Sequence, residues 1–190
     1  MKTLIWKVML AATLFSMFLI GSARAQDGDY DGCSNATLHG DYAFTLHGES
    51  LGILTTGAPL LFPSPLPADG VAMTHFDGNG GLSQVDFVMR AGTPAPGADT
   101  PTADGFRSGE TGTYTVEADC TGKFTITFPD TTEIDVKFVL ANYGREIRTV
   151  VTRQHVPGLP LPAGANCVNG CDLAVQIRSD GKKVQGFFEQ

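Results

Sequence analysis

Apolar and polar residues alternate most regularly between Thr111 and Phe128. In the first half of this segment Tyr114 and Val116 share one face and threonines share the other. In the second half Phe124 and the apolar residues after it alternate with lysine and threonine. Successive side chains of a β-strand point to opposite faces, so a period of two predicts two half-buried strands. The Asp-Cys-Thr-Gly sequence between them is typical of a tight turn, and the segment is therefore predicted to be a β-hairpin.

The same period recurs along most of the chain, and no helical period is found beyond the N-terminal segment. β-Branched and aromatic residues are frequent in these segments, as expected for a pleated surface with one buried face. Turn residues separate them, among them Asp-Gly-Asn-Gly-Gly after the second strand and Ser-Asp-Gly after the eighth. Besides the hairpin, the predicted strands are Leu38–Gly48, Gly70–Phe76, Leu82–Arg90, Thr132–Ala141, Arg145–His155, Asp172–Arg178 and Val184–Phe188.

The connections between these strands alternate in length. Short turns follow the second, fourth and sixth strands, whereas long segments follow the first, third and seventh, at Glu49–Asp69, Gly92–Gly109 and Val156–Gly170. In an up-and-down meander, alternate connections lie at the same end of the sheet. The pattern therefore predicts an all-β fold, an antiparallel up-and-down meander barrel of about eight strands whose long connections share one end. A β-sandwich is the alternative architecture.

Residues 1–25 have the three parts of a signal peptide. Lys2 and Lys7 provide the positive start, an apolar run follows, and Ala23-Arg24-Ala25 matches a cleavage site. The apolar run is too short for an ordinary membrane span. We therefore expect residues 26–190 to form a single β-barrel domain that is secreted or periplasmic, with no membrane span after cleavage.

The four cysteines are Cys33, Cys120, Cys167 and Cys171, and export makes disulfides the expected state. Three pairings are possible. We favour Cys33–Cys120, which would join the start of the domain to the hairpin turn, and Cys167–Cys171, which would close a small loop. The alternative for the second pair is a zinc site, for which the chain offers no second cysteine pair of suitable spacing and no nearby histidine.

The chain is acidic, with a formal net charge of −7. Residues 1–25 contain three basic residues and no acidic residue, so the remaining domain has a net charge of −10. This charge disfavours nucleic acid and anionic membranes as partners. The pattern leaves the oligomeric state open.

No metal, cofactor or catalytic residue is predicted. Asp27, Asp29 and Asp31 match the opening of a calcium loop, but Leu38 stands where that loop needs a bidentate glutamate. No serine lies in a nucleophile elbow, and no glycine-rich phosphate loop opens a helix. Whether the protein is an enzyme is left open, and a non-catalytic role is favoured.

Aromatic side chains are frequent on the predicted inner face of the barrel, beneath long apolar connections. Such an interior favours a binder of a small apolar or amphipathic ligand. Asp86 and Arg90, by contrast, are expected on the outer, solvent-exposed face of the third strand. The aromatic candidates for contact with the ligand are Tyr42, Phe44, Phe87, Tyr114, Phe124 and Phe138.

Two further candidates support an alternative, an isomerase- or cyclase-type barrel enzyme. His75 shares a face with Val71 and Met73, which predicts that it points inward, where a histidine can act as acid or base. Arg148 would orient a polar ligand group if the Val150 face were the inner one. The opposite face is more apolar, however, which favours an outer position for Arg148.

The proline-rich segments Gly57–Gly70 and Val156–Gly164 are expected to be ordered loops without strands. Their leucines would either fold over the barrel end as a plug or line its entrance. A third functional hypothesis is that these loops dock on another macromolecule, so that the protein acts at a surface.

Three segments, Cys33–Phe44, Phe76–Ser83 and Gly112–Ile126, resemble a group of small, exported, uncharacterised bacterial proteins. The motifs FDGxGxL and GTYTVxxDCTG carry this resemblance. It implies an exported β-fold but no site residues. In size and strand number the chain is also similar to calycin-type barrels, which include lipocalin-like binders and allene-oxide-cyclase-like barrels.

Overall fold

The computed structural model of the protein describes residues 32–55, 57–95, 105–158, 167 and 169–184. The predicted signal peptide lies outside these residues, as do the acidic Asp27–Asp31 segment and all of the predicted last strand except Val184, which is not in a strand. The described residues contain no α-helix and one short 3-10 helix. None of them forms a helix that is long and apolar enough to cross a membrane.

Eight long antiparallel strands form a closed barrel, and a ninth, very short strand extends it. Neighbouring strands pair in the order β2-β1-β9-β8-β7-β6-β5-β3-β4, and pairing between β2 and β3 closes the cylinder. The prediction of an up-and-down meander barrel is confirmed. The strands are β1 His39–Ile53, β2 Leu60–Asp77, β3 Gly81–Arg90, β4 Thr93–Pro94, β5 Arg107–Val116, β6 Thr121–Thr127, β7 Glu133–Ala141, β8 Glu146–Val156 and β9 Cys171–Lys183.

The two ends of the barrel differ as the connection lengths predict. The tight turns β2–β3, β5–β6 and β7–β8 share one end, which we call the base. The connections that follow β1, β3 and β8 leave from the opposite end, which we call the mouth. Short β4 pairs with the mouth end of β3, beyond the point where pairing between β3 and β5 stops.

The prediction of a loop without strands at Gly57–Gly70 is wrong, because most of this segment belongs to strand β2. Leu66 pairs with Ser50 and Leu60 pairs with Ile53, and the residues numbered 62–65 bulge out between these two sections. Strand β3 pairs with β2 only from Ala68 onward, so the first part of β2 is a sheet edge. Prolines are tolerated at an edge because no ladder partner requires their N–H.

The prediction of a turn at Ser179-Asp180-Gly181 is also wrong, because strand β9 continues through these residues. Gly181 pairs with Phe44 on one side and with Ile147 on the other. A Cβ atom at Gly181 would lie 2.5 Å from side-chain atoms of both neighbours. The glycine is therefore required by close packing inside the base rather than by a change of chain direction.

Aromatic rings fill the base. Phe76 is fully buried, and its ring contacts those of Tyr42, Tyr114 and Phe124 at centroid distances of 5.4, 5.2 and 6.2 Å. The edge-on geometry of these contacts is the favoured one for aromatic pairs. Both tyrosine hydroxyls are satisfied, because Tyr42 donates to the carbonyl of Gly144 and Tyr114 donates to a backbone carbonyl of the N-terminal segment.

The N-terminal segment closes the base from outside. A short 3-10 helix, Asn35–Thr37, leads into fully buried Leu38, and the Asn35 side chain accepts the N–H of Val116 at 2.8 Å. The disulfide Cys33–Cys120 fastens this segment to the β5–β6 turn. The favoured cysteine pairing is confirmed here, and again at the mouth for Cys167–Cys171. Formed disulfides indicate an oxidising environment.

A second, smaller hydrophobic cluster lies at the mouth, on the side of β1, β8 and β9. Buried Ile53, Cys171 and Leu173 form its centre, and half-buried Leu60 and Phe62 pack against them. The apolar side chains at the start of β2 therefore cover the barrel rim in part. Leu159 and Leu161, which were expected to assist them, lie outside the described residues.

Candidate functional site

The upper half of the barrel, toward the mouth, encloses a cavity of about 390 Å³. This volume is within the range of small-molecule pockets, roughly 300 to 1,000 Å³. The inner faces of all eight long strands contribute to its walls. On β2 the wall is made of small side chains, with Ala68 and Ala72 facing inward, which leaves the space open. The cavity is the candidate functional site.

The inner face of β3 is polar, which reverses the expectation from the sequence. Gln84, Asp86 and Arg90 line the cavity together with one apolar residue, Val88. Val85 is exposed, and Phe87 packs on the ring of Phe106 outside the cavity. The prediction that Asp86 and Arg90 lie on the outer, solvent-exposed face of this strand is therefore wrong. The cause is the register of the β2–β3 hairpin, which pairs buried Leu82 with buried Phe76 and so fixes the even-numbered residues inside.

A bulge in β5 brings two charged residues to the same wall. Gln84 pairs with Glu110 and Asp86 pairs with Arg107, so two residues of β5 lie opposite one residue of β3. Gly109 occupies the bulge with a φ of +84°, a conformation that residues with a side chain rarely adopt. Without the extra residue, positions 107 and 110 would face opposite sides of the sheet.

Arg107 and Asp86 form a buried, bidentate ion pair. The Nε and an Nη atom of Arg107 donate to the two carboxylate oxygens of Asp86, each at 2.6 Å. The guanidinium also lies over the Phe128 ring, 5.1 Å from its centroid. Paired in this way, the two charges cancel, and the aromatic face covers the arginine.

A chain of hydrogen bonds crosses the same wall closer to the base. Thr74 donates to Gln84 at 2.8 Å, and the Gln84 amide donates to Glu110 at 3.0 Å. Glu110 is only 1% exposed. Its burial, followed by the neighbouring Asp86 carboxylate, raises the pKa of Glu110 to about 8, so the side chain is neutral at pH 7. One of its oxygens, Oε1, has no hydrogen-bond partner.

Arg90 is the unpaired charge of this wall. Its Nε is buried and has no hydrogen-bond partner, and its guanidinium forms no ion pair with any described residue. Burial, and then repulsion from Arg107, lowers the pKa of Arg90 below its usual value. Arginine nevertheless stays charged in proteins, so a positive charge borders the cavity at the mouth end of β3.

The facing wall, from β6 to β9 and on to β1, is mostly apolar. A second bulge, in β8, places Gln154 inside, because Val136 pairs with Val151 while Asp135 pairs with Arg153. The Gln154 side-chain oxygen has no hydrogen-bond partner. The apolar side chains of this wall are Phe44, Leu46, Phe124, Ile126, Phe128, Ile134, Val136, Val151, Val156 and Ile177.

The aromatic residues predicted to contact a ligand are divided among three places. Phe44 and Phe124 line the cavity. Tyr42, Tyr114 and Phe138 point inward as predicted, but they are packed into the core of the base. The remaining candidate, Phe87, lies on the outer surface.

The two predicted polar candidates also lie on the outer surface. The side chain of His75 is 55% exposed and its Nδ1 lies 2.7 Å from a carboxylate oxygen of Asp41. Arg148 is 62% exposed and contacts Asp180 and Glu146. The inward placement of His75 is wrong, and the enzyme hypothesis loses the enclosed group on which it depended.

No family model, curated protein or solved structure matches this chain. Among the described residues, no group of three or more histidine, cysteine, aspartate or glutamate side chains is arranged to hold a metal ion. The cavity itself is therefore the source of the functional argument.

Proposed function

We propose that this protein is an exported, non-catalytic binder of a small amphipathic molecule, which it holds in the upper half of its barrel. The observation that carries the proposal is the division of the cavity into a polar wall on β2, β3 and β5 and an apolar wall opposite. A ligand with one polar end and one apolar end fits this division. Export is supported by the signal-like N-terminal segment and by two formed disulfides.

Unsatisfied polar atoms support a ligand with hydrogen-bonding groups. Buried polar groups are nearly always paired, and each one without a partner needs an explanation. Gln154 Oε1 and Arg90 Nε are two such atoms, and both residues line the cavity. A bound molecule with polar groups would supply the missing partners.

A cavity-filling variant tests the proposal. Ala72→Trp places a large ring in the cavity, whereas Met73→Trp, one position along β2, places the same ring on the outer surface, where Met73 is 40% exposed. Binding would be measured by fluorescence titration with N-phenylnaphthylamine, an uncharged apolar probe. We expect saturable binding to the wild type and to Met73→Trp, and loss of binding in Ala72→Trp. Equal binding by both variants, or no binding by the wild type, would contradict the proposal.

A further inference from the structure

We propose that the ligand of this cavity carries a single negative charge and that Arg90 binds the charged group at the mouth end of the polar wall. The inference rests on the function proposed above and specifies the class of ligand. Its basis is a count of the charges on the polar wall and of the partners they already have.

The polar wall carries one uncompensated positive charge at neutral pH. Arg107 is neutralised by Asp86 in a bidentate pair, and Glu110 is protonated because burial raises its pKa to about 8. Asp130 also lines the cavity, but it lies in the β6–β7 connection rather than on the polar wall, is exposed, and accepts the backbone N–H of Thr132. Arg90 remains, with no anionic partner among the described residues.

This charge is costly unless a ligand compensates it. Arg90 is half-buried and its Nε is buried, so the guanidinium loses part of its hydration without gaining a partner, and arginine cannot escape this cost by losing its proton. An anionic ligand would offset the cost, and a planar guanidinium suits the two oxygens of a carboxylate-like group. The chain as a whole is acidic, at −7, so a positive cavity wall runs against its general charge and is a local feature.

The position of Arg90 also fixes the orientation of the ligand. Arg90 is the last residue of β3 at the mouth, and Gln84 lies six residues closer to the base, roughly 20 Å along a strand that rises about 3.3 Å per residue. The charged group is therefore held near the mouth. The apolar part extends inward along the wall that contains Phe124, Ile126 and Val136.

Three probes with the same apolar chain and different charge test the inference: octanoate, octanol and octylammonium. Their affinities would be measured by titration calorimetry at pH 7 on the full oxidised protein, on Arg90→Met, and on Arg148→Met. Arg148 is the matched control, an arginine on the outer wall of the barrel. We expect octanoate to bind about tenfold more tightly than octanol and octylammonium to bind most weakly, as for one charge-assisted contact.

In Arg90→Met the preference for octanoate should disappear while octanol binding persists, which also shows that the variant is folded. Arg148→Met should behave as the wild type. Octanol binding as tightly as octanoate, or an octanoate preference that survives Arg90→Met, would overturn the inference and leave the proposed function standing. If none of the three probes binds, both the inference and the proposed function fail.

Discussion

The base and the upper half of this barrel are built from the same eight strands but are filled differently. In the base, Tyr42, Phe76, Tyr114 and Phe138 interlock, and the tyrosine hydroxyls bond to backbone carbonyls. In the upper half the inner positions of β2 carry small residues and those of β3 carry mostly polar ones, and a cavity of about 390 Å³ remains. One half is a packed core, and the other half contains the cavity that we propose as a binding site.

The difference teaches that a single cylinder can separate a packed core from an open cavity along its axis. A small eight-stranded barrel is just wide enough for its own side chains to fill it or to hold one small ligand. Here aromatic rings, the N-terminal segment and a long-range disulfide stabilise the base. The buried charges and unsatisfied atoms, which reduce stability, are concentrated beside the cavity.

Removal of the two disulfides is expected to show the largest difference in stability between the base and the mouth. Cys33–Cys120 closes a loop of 87 residues at the base, and Cys167–Cys171 closes one of 4 residues at the mouth. The chain-entropy model gives losses of about 4–5 and about 2 kcal/mol in the free energy of unfolding when each pair is replaced by alanine. Urea unfolding of the two double variants would measure the losses. A larger loss from the mouth pair would contradict the division into a stabilising base and a binding half.

Core aromatic residues offer the next comparison. Phe76→Ala removes the ring that touches three others in the base and should cost about 4 kcal/mol of unfolding free energy. Phe128→Ala removes a ring that borders the cavity and should cost about 2 kcal/mol, because fewer packed neighbours are lost. Urea unfolding again provides the values, and equal costs would show that the upper half is as tightly packed as the base.

Because Glu110 of the polar wall has a raised pKa, we expect the stability of the protein to depend on pH. Glu110 has a pKa of about 8 in the folded protein, above its ordinary value of 4.5, so the folded state holds this proton more tightly than the unfolded state. Its contribution to stability is therefore complete below pH 4.5, decreases as the pH rises, and is lost above pH 8.

Glu110→Gln should remove this contribution. The variant can still accept the Gln84 hydrogen bond, and it should be about 2 kcal/mol more stable than the wild type at pH 9 and little changed at pH 4. Chemical unfolding at both pH values would measure the effect, with Glu117→Gln as an exposed control. A stability difference between Glu110→Gln and the wild type that does not change with pH would show that Glu110 is already ionised at neutral pH.

The substitution of Arg90 is expected to have the smallest effect on stability. Since its charge has no partner among the described residues, Arg90→Met should leave the ligand-free protein unchanged or stabilise it by up to about 1 kcal/mol. Thermal unfolding would show this. A loss of several kcal/mol would mean that Arg90 is a structural residue, as the residues of the base are.

The sequence predicts the base well, because there the inner face is also the more apolar face. The alternation around Tyr114 and Phe124 and the tight turns follow from local chemistry. Each of these signals lies within a few residues of the feature that it predicts, and all of them agree on one fold.

The site could not be predicted in the same way, because the rule of apolar residues inside is reversed on β2 and β3. Met73 and Val85 are exposed outside, while Asp86 and Arg90 lie within. Two bulges, at Gly109 and in β8, shift the inner face by one residue, and a shift of one residue exchanges the two faces of a strand. The hairpin pairing of Phe76 with Leu82 was the one local signal that could have revealed the polar inner face.

The most direct test of the account is to observe where a ligand binds. In a protein labelled at isoleucine methyl groups, Ile126, Ile134 and Ile177 report on the cavity and fully buried Ile147 reports on the base. On titration with octanoate, NMR spectra should show saturable shifts of the three cavity methyl signals and no shift of the Ile147 signal. Shifts that are absent from the cavity methyls, or as large at Ile147, would contradict a barrel divided into a closed base and a binding half.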